Sequence, residues 1–324
     1  MLDLYFRMNQ HETLSMMRRI LAILFLLSPL FIMGQSVYPE QTITIGTHVD
    51  GTLMIPEGNQ TKDLVIFIGG SGPTDRDGNQ PMMQNNGFKF LAQGLFDNGI
   101  ASFRYDKRVV KALKKGQFDE SSARFDDFVS DALEVLAFFK PAPEFHRLIV
   151  LGHSQGSLVG MLAAKDHADA FISIAGAGQE IDDVIIDQLN WQAPNLADAA
   201  RQAFDDLRAN GVTTNYPAPL ASIFRPSLQG FISNWMAYNP QTAIADLAMP
   251  ILIINGTRDM QVQISEAEAL HGAAESSDFL LIDNMNHVLK VVSDDGLENS
   301  KTYNDPNLPV APKLIDAIVS FIKA

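Results

Sequence analysis

Apolar residues along this chain fall into two kinds of run. Short, nearly continuous ones occupy residues 64–68 (Leu-Val-Ile-Phe-Ile), 148–151 (Leu-Ile-Val-Leu), 170–174 (Ala-Phe-Ile-Ser-Ile), 251–255 (Ile-Leu-Ile-Ile-Asn) and 279–282 (Phe-Leu-Leu-Ile). Each is too short for a helix and apolar on both faces, as expected of strands buried on two sides. Between them, apolar positions recur at helical spacing. Residues 125–136 form one such segment, with Ser121 or Ser122 placed to cap it and Lys140-Pro141 to end it. Residues 157–164 form another. Alternation of this kind predicts an α/β domain built on a doubly wound, mostly parallel sheet. Residues 42–55 read as an antiparallel hairpin turning at Asp50-Gly51. The alternation breaks at residues 179–242, which are helical and rich in aromatics. Trp191, Phe204, Phe224, Phe231, Trp235 and Tyr238 all fall there.

The N-terminus has a different pattern. Arg18-Arg19 precede the apolar residues 20–27, then Ser28-Pro29, residues 30–33 and Gly34-Gln35-Ser36. A charged region, a short apolar core and a small residue at a cleavage point make an export signal. The apolar stretch is shorter than the ~20 residues a spanning helix needs. Residues 1–34 are therefore expected to be removed, with translation starting at Met1, Met16 or Met17, and residues 35–324 to form one domain. The protein is expected to be periplasmic or secreted, with no stable membrane association after cleavage. The chain has no cysteine, which rules out disulfides and a lipoprotein anchor. Its formal net charge of −14 disfavours nucleic acid as a partner.

The candidate chemistry starts at Gly152-His153-Ser154-Gln155-Gly156, directly after the run at 148–151 and before the helix at 157–164. Strand, sharp turn and helix put a serine at the apex, flanked by glycines that permit a strained turn and close strand–helix approach. A lone serine hydroxyl is a poor nucleophile and needs a base and donors for the oxyanion it creates. A βα turn with a capping serine would share the pattern. The partners should follow in the order serine, acid, histidine. Asp259 leaves the strand at 251–255 and His287 leaves the strand at 279–282, on the sheet edge where sites form in open α/β sheets. Of the seven histidines, only His287 follows the last strand. His153 occupies a variable turn position, pointing away from its neighbour's hydroxyl. His48 belongs to the hairpin, and His167 and His271 read as surface helix positions. Asp283 rivals Asp259 as the acid but stands too near its strand to reach around to the ring. The oxyanion hole needs two amides, expected at Gln155, which follows the nucleophile, and at Ser71 in the loop Gly69-Gly70-Ser71-Gly72-Pro73. That loop lacks the lysine and the spacing of phosphate-binding glycine loops.

With these residues assembled, the chain resembles the α/β-hydrolase superfamily, in its bacterial esterase-like branch. The resemblance rests on Gly-Ser-Gly-Pro-Thr-Asp-Arg-Asp-Gly-Asn at 70–79, Arg-Tyr-Asp-Lys-Arg at 104–108 and Asn286-His287, and runs from about Thr42 onward. Relatives continue the second motif with glycines and a serine, where this chain has Val109-Val110-Lys111-Ala112. The resemblance implies an α/β-hydrolase fold in which residues 179–242 form a helical lid above the site. Alternatively these residues are a layer burying their own aromatics. It also implies carboxylic-ester hydrolysis.

The expected activity is thus a serine carboxylesterase acting on short- to medium-chain esters. Ser154 attacks, His287 takes its proton, Asp259 orients His287, and Ser71 and Gln155 bind the oxyanion. The partner is a small-molecule ester, and no metal or organic cofactor is implied. A calcium loop at Asp75 would need a glutamate where Asn86 stands, so the acids there are expected to tie the loop down. A peptidase or amidase on the same apparatus is one alternative, and a non-catalytic binding protein another. Lys107, Arg108, Lys111, Lys114 and Lys115 read as a solvated basic cluster.

Overall fold

The computed structural model describes residues 38–58, 61–293 and 296–324. The expected export signal lies outside the described residues. Eight strands form one sheet: β1 (Gln41–Ile45), β2 (Val49–Met54), β3 (Lys62–Ile68), β4 (Ala101–Asp106), β5 (Phe145–His153), β6 (Ala170–Ile174), β7 (Ile251–Gly256) and β8 (Asp278–Ile282). Their order across the sheet is β1-β2-β4-β3-β5-β6-β7-β8. β2 runs antiparallel to both neighbours, and every other pairing is parallel.

Period-two alternation decides which residues meet which helices. Leu64, Ile66, Leu148 and Val150 share a core with Val135, Leu136 and Phe139 of the helix Asp126–Phe139. Val65, Phe67, Ile149 and Leu151 are as deeply buried but lie outside that core. Phe67 instead meets Phe88 of the helix Gly87–Asp97 edge-on, ring centres 5.7 Å apart. The sheet is therefore covered on both faces, which is why its central strands carry no polar stripe. Going from β3, the chain places β4 on one side and β5 on the other. The crevice beyond the carboxyl ends of β3 and β5 is the switch point where doubly wound sheets bind ligands.

Three local expectations are corrected. The hairpin turns at residues 46–48, with Gly46 at φ 52°, and Asp50 and Gly51 lie inside β2. Gly51 is there for packing, because a Cβ would strike the Phe103 ring and the Arg104 carbonyl. Neither Ser121 nor Ser122 caps the helix Asp126–Phe139, which begins after Phe125. Ser121 bonds back to Asp119, and the Arg124 amide instead donates to the Asp127 carboxylate. His167 sits in a turn rather than a helix.

The insertion between β6 and β7 contains the helices Ile181–Gln192, Ala197–Asn210, Ala221–Phe224, Pro226–Trp235 and Pro240–Ala245. It has an apolar core of its own around Ala203, Phe204, Leu207, Phe224 and Ile232. Phe204 and Phe224 meet at 4.7 Å and serve that core. The first helix also lines the cavity described next, through Ile181, Val184 and Ile185, of which Ile181 and Ile185 pack against that core as well. The segment thus buries aromatics of its own and contributes one wall of the cavity.

Candidate active site

A cavity of about 520 Å³ opens at the switch point, lined by Ser154, His287, the Gly70–Gly72 loop, Trp235 and the first insertion helix. Ser154 ends the turn after β5 at φ 55°, ψ −124°, a conformation strained for any residue with a Cβ. The strain is imposed by contacts on either side. Its N–H is held by the Ile174 carbonyl at 2.9 Å. A Cβ on Gly152 would strike the Gly156 backbone, and one on Gly156 would strike the Ile68 carbonyl. The flanking glycines therefore let β5 and the helix Gln155–Ala164 close around the serine. A Cβ on Gly70 would come within 3.2 Å of the Ser154 Cβ, so the glycine loop packs directly on the serine.

His287 and Asp259 meet across the loops that follow β8 and β7. His287 Nδ1 and Asp259 Oδ2 are 2.8 Å apart, with both side chains buried. A carboxylate can only accept, so Nδ1 carries the proton and Nε2 of the neutral ring is left as an acceptor. Asp259 Oδ1 takes two backbone amides, Gln261 N at 2.8 Å and Val262 N at 2.9 Å. Burial pushes the Asp259 carboxyl up. The interaction with His287 and the two amides outweigh that and hold it below the ordinary aspartate value. Asp283 is exposed and takes no part. Ser71 and Gln155 both line the cavity, and among the described residues no hydrogen bond engages either backbone N–H.

Several supporting residues escaped the sequence reading. The His153 ring leans against that of His287, centres 4.7 Å apart, and its Nε2 lies 2.8 Å from the His287 carbonyl oxygen. A carbonyl only accepts, so His153 Nε2 donates and braces the backbone of the histidine loop. Burial pushes His153 down to about 3, and the neighbouring His287 adds to the shift, so it stays neutral. Asn286 donates to Asn299 at 2.9 Å and Thr302 at 2.7 Å, and Asn299 donates to the Arg258 carbonyl at 2.9 Å. Asn299 thereby ties the His287 loop to the Asp259 loop. Tyr303 and Gln261 share a hydrogen bond of 3.0 Å at the cavity wall.

The two charged motifs prove to be partners. Arg76 grips Asp106 through Nε and Nη2, each at 2.9 Å, and its backbone amide adds a third bond. Arg104 pairs with Asp77 at 3.2 Å. Asp75 Oδ1 accepts from the Asp77 and Asn79 amides, and Asn79 Oδ1 from those of Asn85 and Asn86. The acids of this loop thus tie it down behind the glycine turn. The expected basic cluster is corrected in part: Lys114 and Lys115 are exposed, but the other three are not free in solvent. Lys107 is buried, Arg108 is paired with Asp127 and Asp131, and Lys111 with Asp50. Residues after Arg108 form a helix, Arg108–Lys114, that carries Val109-Val110-Lys111-Ala112. Of the insertion's two tryptophans, Trp191 is 85% exposed and does not line the cavity, whereas Trp235 does.

Comparison with known proteins agrees with this architecture. Esterase EstD of Thermotoga maritima is 28% identical over 259 residues, which cover 78% of this chain and 60% of that protein. The chain therefore spans about 60% of the length of that curated relative. Est1E from Butyrivibrio proteoclasticus aligns with a TM-score of 0.55 at 15% identity, over 87% of this chain and 99% of its own. An esterase from Pyrococcus furiosus aligns at 0.54 and 14% identity, over 88% and 91%. The acylaminoacyl peptidase of Pyrococcus horikoshii aligns at 0.53 and 15%, over 88% of this chain but 41% of that one. At such identities the structures speak for the fold alone. The model of the alpha/beta hydrolase family matches residues 78–295. With that match spanning most of the chain and the strand order already in place, the protein belongs to the alpha/beta hydrolase family.

Proposed function

We propose that this protein is a serine carboxylesterase for short- to medium-chain esters. The single observation that carries this is the buried His287–Asp259 bond of 2.8 Å, set beside a strained Ser154 in one cavity. His287 Nε2 takes the Ser154 proton as Oγ attacks the ester carbonyl. Asp259 holds the ring in the required tautomer and stabilises the imidazolium. The Ser71 and Gln155 amides receive the oxyanion. The alcohol departs with the proton from His287, and a water activated by the same ring releases the acid. Mostly apolar walls, from Ile181, Val184, Ile185, Leu158, Trp235 and Val288, suit an uncharged acyl chain. The similarity to EstD supports ester rather than amide substrates.

Purified protein should hydrolyse p-nitrophenyl esters in a graded chain-length series and leave aminoacyl anilides nearly untouched. Ser154→Ala should lower turnover by at least ~10³-fold with the fold intact. Near-normal activity without Ser154, or faster cleavage of anilides than of esters, would reject this assignment. We also place the mature protein outside the cytoplasm, on the strength of Arg18-Arg19 ahead of residues 20–33 and Gly34.

A further inference from the structure

The lysine of the Asp-Lys-Arg run sits behind the nucleophile rather than in solvent. Lys107 Nζ donates to the Gly70 carbonyl oxygen at 2.8 Å and to Gln155 Oε1 at 2.7 Å. It also stands 3.9 Å from the centre of the Phe128 ring. Two oxygens and one ring face thus occupy its three protons. Asp131 acts on it through space, but Arg108 holds both Asp131 oxygens, at 2.8 and 2.7 Å. Around the lysine lie Ile68, Tyr105, Phe128 and Val159. A methionine would fill this space with no ion to desolvate, but it would leave the Gly70 carbonyl and Gln155 Oε1 without this donor.

Both of its acceptors belong to the oxyanion apparatus. The Gly70 carbonyl and the Ser71 N–H are the two ends of one peptide unit. Gln155 supplies the other amide from its own backbone. We propose that Lys107 is a positioning residue of the oxyanion hole, its ammonium locking the Gly70–Ser71 peptide to Gln155 and polarising that peptide toward the developing negative charge. The proposal rests on Ser154 as nucleophile and on the Ser71 and Gln155 amides as oxyanion donors. Hydrogen bonds in series reinforce one another, so a cation on the carbonyl makes the N–H at the far end a stronger donor. A dipole held in place beforehand needs no reorganisation in the transition state.

Burial pushes Lys107 down to about 7, with Asp131 acting against it. The neutral amine keeps two N–H donors, so its contacts can survive deprotonation while the charge is lost. The charged and titratable groups facing it are Asp131 from the helix Asp126–Phe139, with Arg108 bound to it, and Tyr105 from β4, whose phenol burial keeps neutral. Gly70 and Gln155 face it as neutral groups.

The test is kcat and KM for p-nitrophenyl butyrate from pH 6 to 9.5, for wild type, Lys107→Met and Lys107→Gln. Wild type should show a decline of kcat on the alkaline side. Both variants should lose that decline, with kcat down ~10–100-fold and KM moved less than about threefold, since small misplacements at a reacting centre cost up to ~10²-fold. Unchanged kcat, a change confined to KM, or the same alkaline decline in the variants would overturn the proposal. If neither variant folds, wild type decides alone: kcat flat from pH 7 to 9.5 overturns it. If wild type cleaves no ester, or Ser154→Ala stays active, the esterase assignment itself has failed. If wild type is active, Ser154→Ala is dead and Lys107→Met is fully active, only the role of Lys107 has.

Discussion

Asp259→Asn tests the geometry most sharply, because the structure dictates which way the new amide must face. Asp259 Oδ1 accepts two backbone N–H groups, from Gln261 and Val262, and Oδ2 faces His287 Nδ1. Asparagine has one oxygen. Turned toward His287, that oxygen would leave an NH2 against two N–H donors in a site where the aspartate side chain is 1% exposed. The oxygen therefore stays with the backbone amides, and the NH2 group donates to His287 Nδ1. The ring is then held with its proton on Nε2, where it cannot take one from Ser154. That wrong tautomer costs ~10⁴-fold in kcat where it has been isolated elsewhere, about 5.4 kcal/mol at 1.36 kcal/mol per tenfold. KM should barely move, because the cavity wall is unchanged. Asp283→Asn, on an exposed side chain, should leave kcat within about twofold. The assay is kcat on p-nitrophenyl butyrate at matched folded concentration, checked by circular dichroism. A folded Asp259→Asn enzyme within tenfold of wild type, or an inactive Asp283→Asn, would refute the assignment of the acid.

Other outcomes follow from the same geometry. Trp235→Ala should move the acyl-chain optimum to longer esters, since Trp235 lines the cavity and an added methylene is worth ~1–3 kcal/mol in such a pocket. It should also cost ~0.5–1.5 kcal/mol of stability from its stacking on Phe125 at 5.4 Å, whereas exposed Trp191→Ala should change neither quantity. Lys107 sits near 7 in the fold against an ordinary 10.5, so between those values the unfolded chain holds more protons and stability rises with pH. Urea melts of wild type and Lys107→Met should therefore diverge in favour of wild type from pH 7 to 10.5, and a constant difference would count against a buried ammonium. Protein recovered from its native host should begin near Gln35. Intact mass showing residues 17–34 retained on soluble protein would overturn export with cleavage.

Much of this molecule was written locally. The continuous apolar runs at 64–68, 148–151, 170–174 and 251–255 marked strands covered on both faces, because burial on two sides leaves no room for a polar stripe. Gly152-His153-Ser154-Gln155-Gly156 between a strand and a helix marked the turn, since only glycine tolerates the approaches found there. The order of Ser154, Asp259 and His287 placed each on a loop at one sheet edge. What no local pattern carried was the pairing of residues far apart in the chain. Lys107 and Arg108 read as solvated because charge is usually exposed, yet the crossover from β4 folds them against Gln155 and Asp131. Asp50-Gly51 carried the strongest turn signal of the hairpin, but Phe103 from β4 packs where a side chain would stand, and the chain turns earlier. His153 looked incidental until the fold set it beside the His287 carbonyl, 134 residues away. Trp191 and Trp235 were equivalent as letters, and only the orientation of their helices put one in the cavity and the other in water. Periodicity and glycine placement act over a few residues and can be read along the chain. Burial of a charge and the facing of a side chain depend on which segments the sheet brings together, and that is settled only when the fold closes.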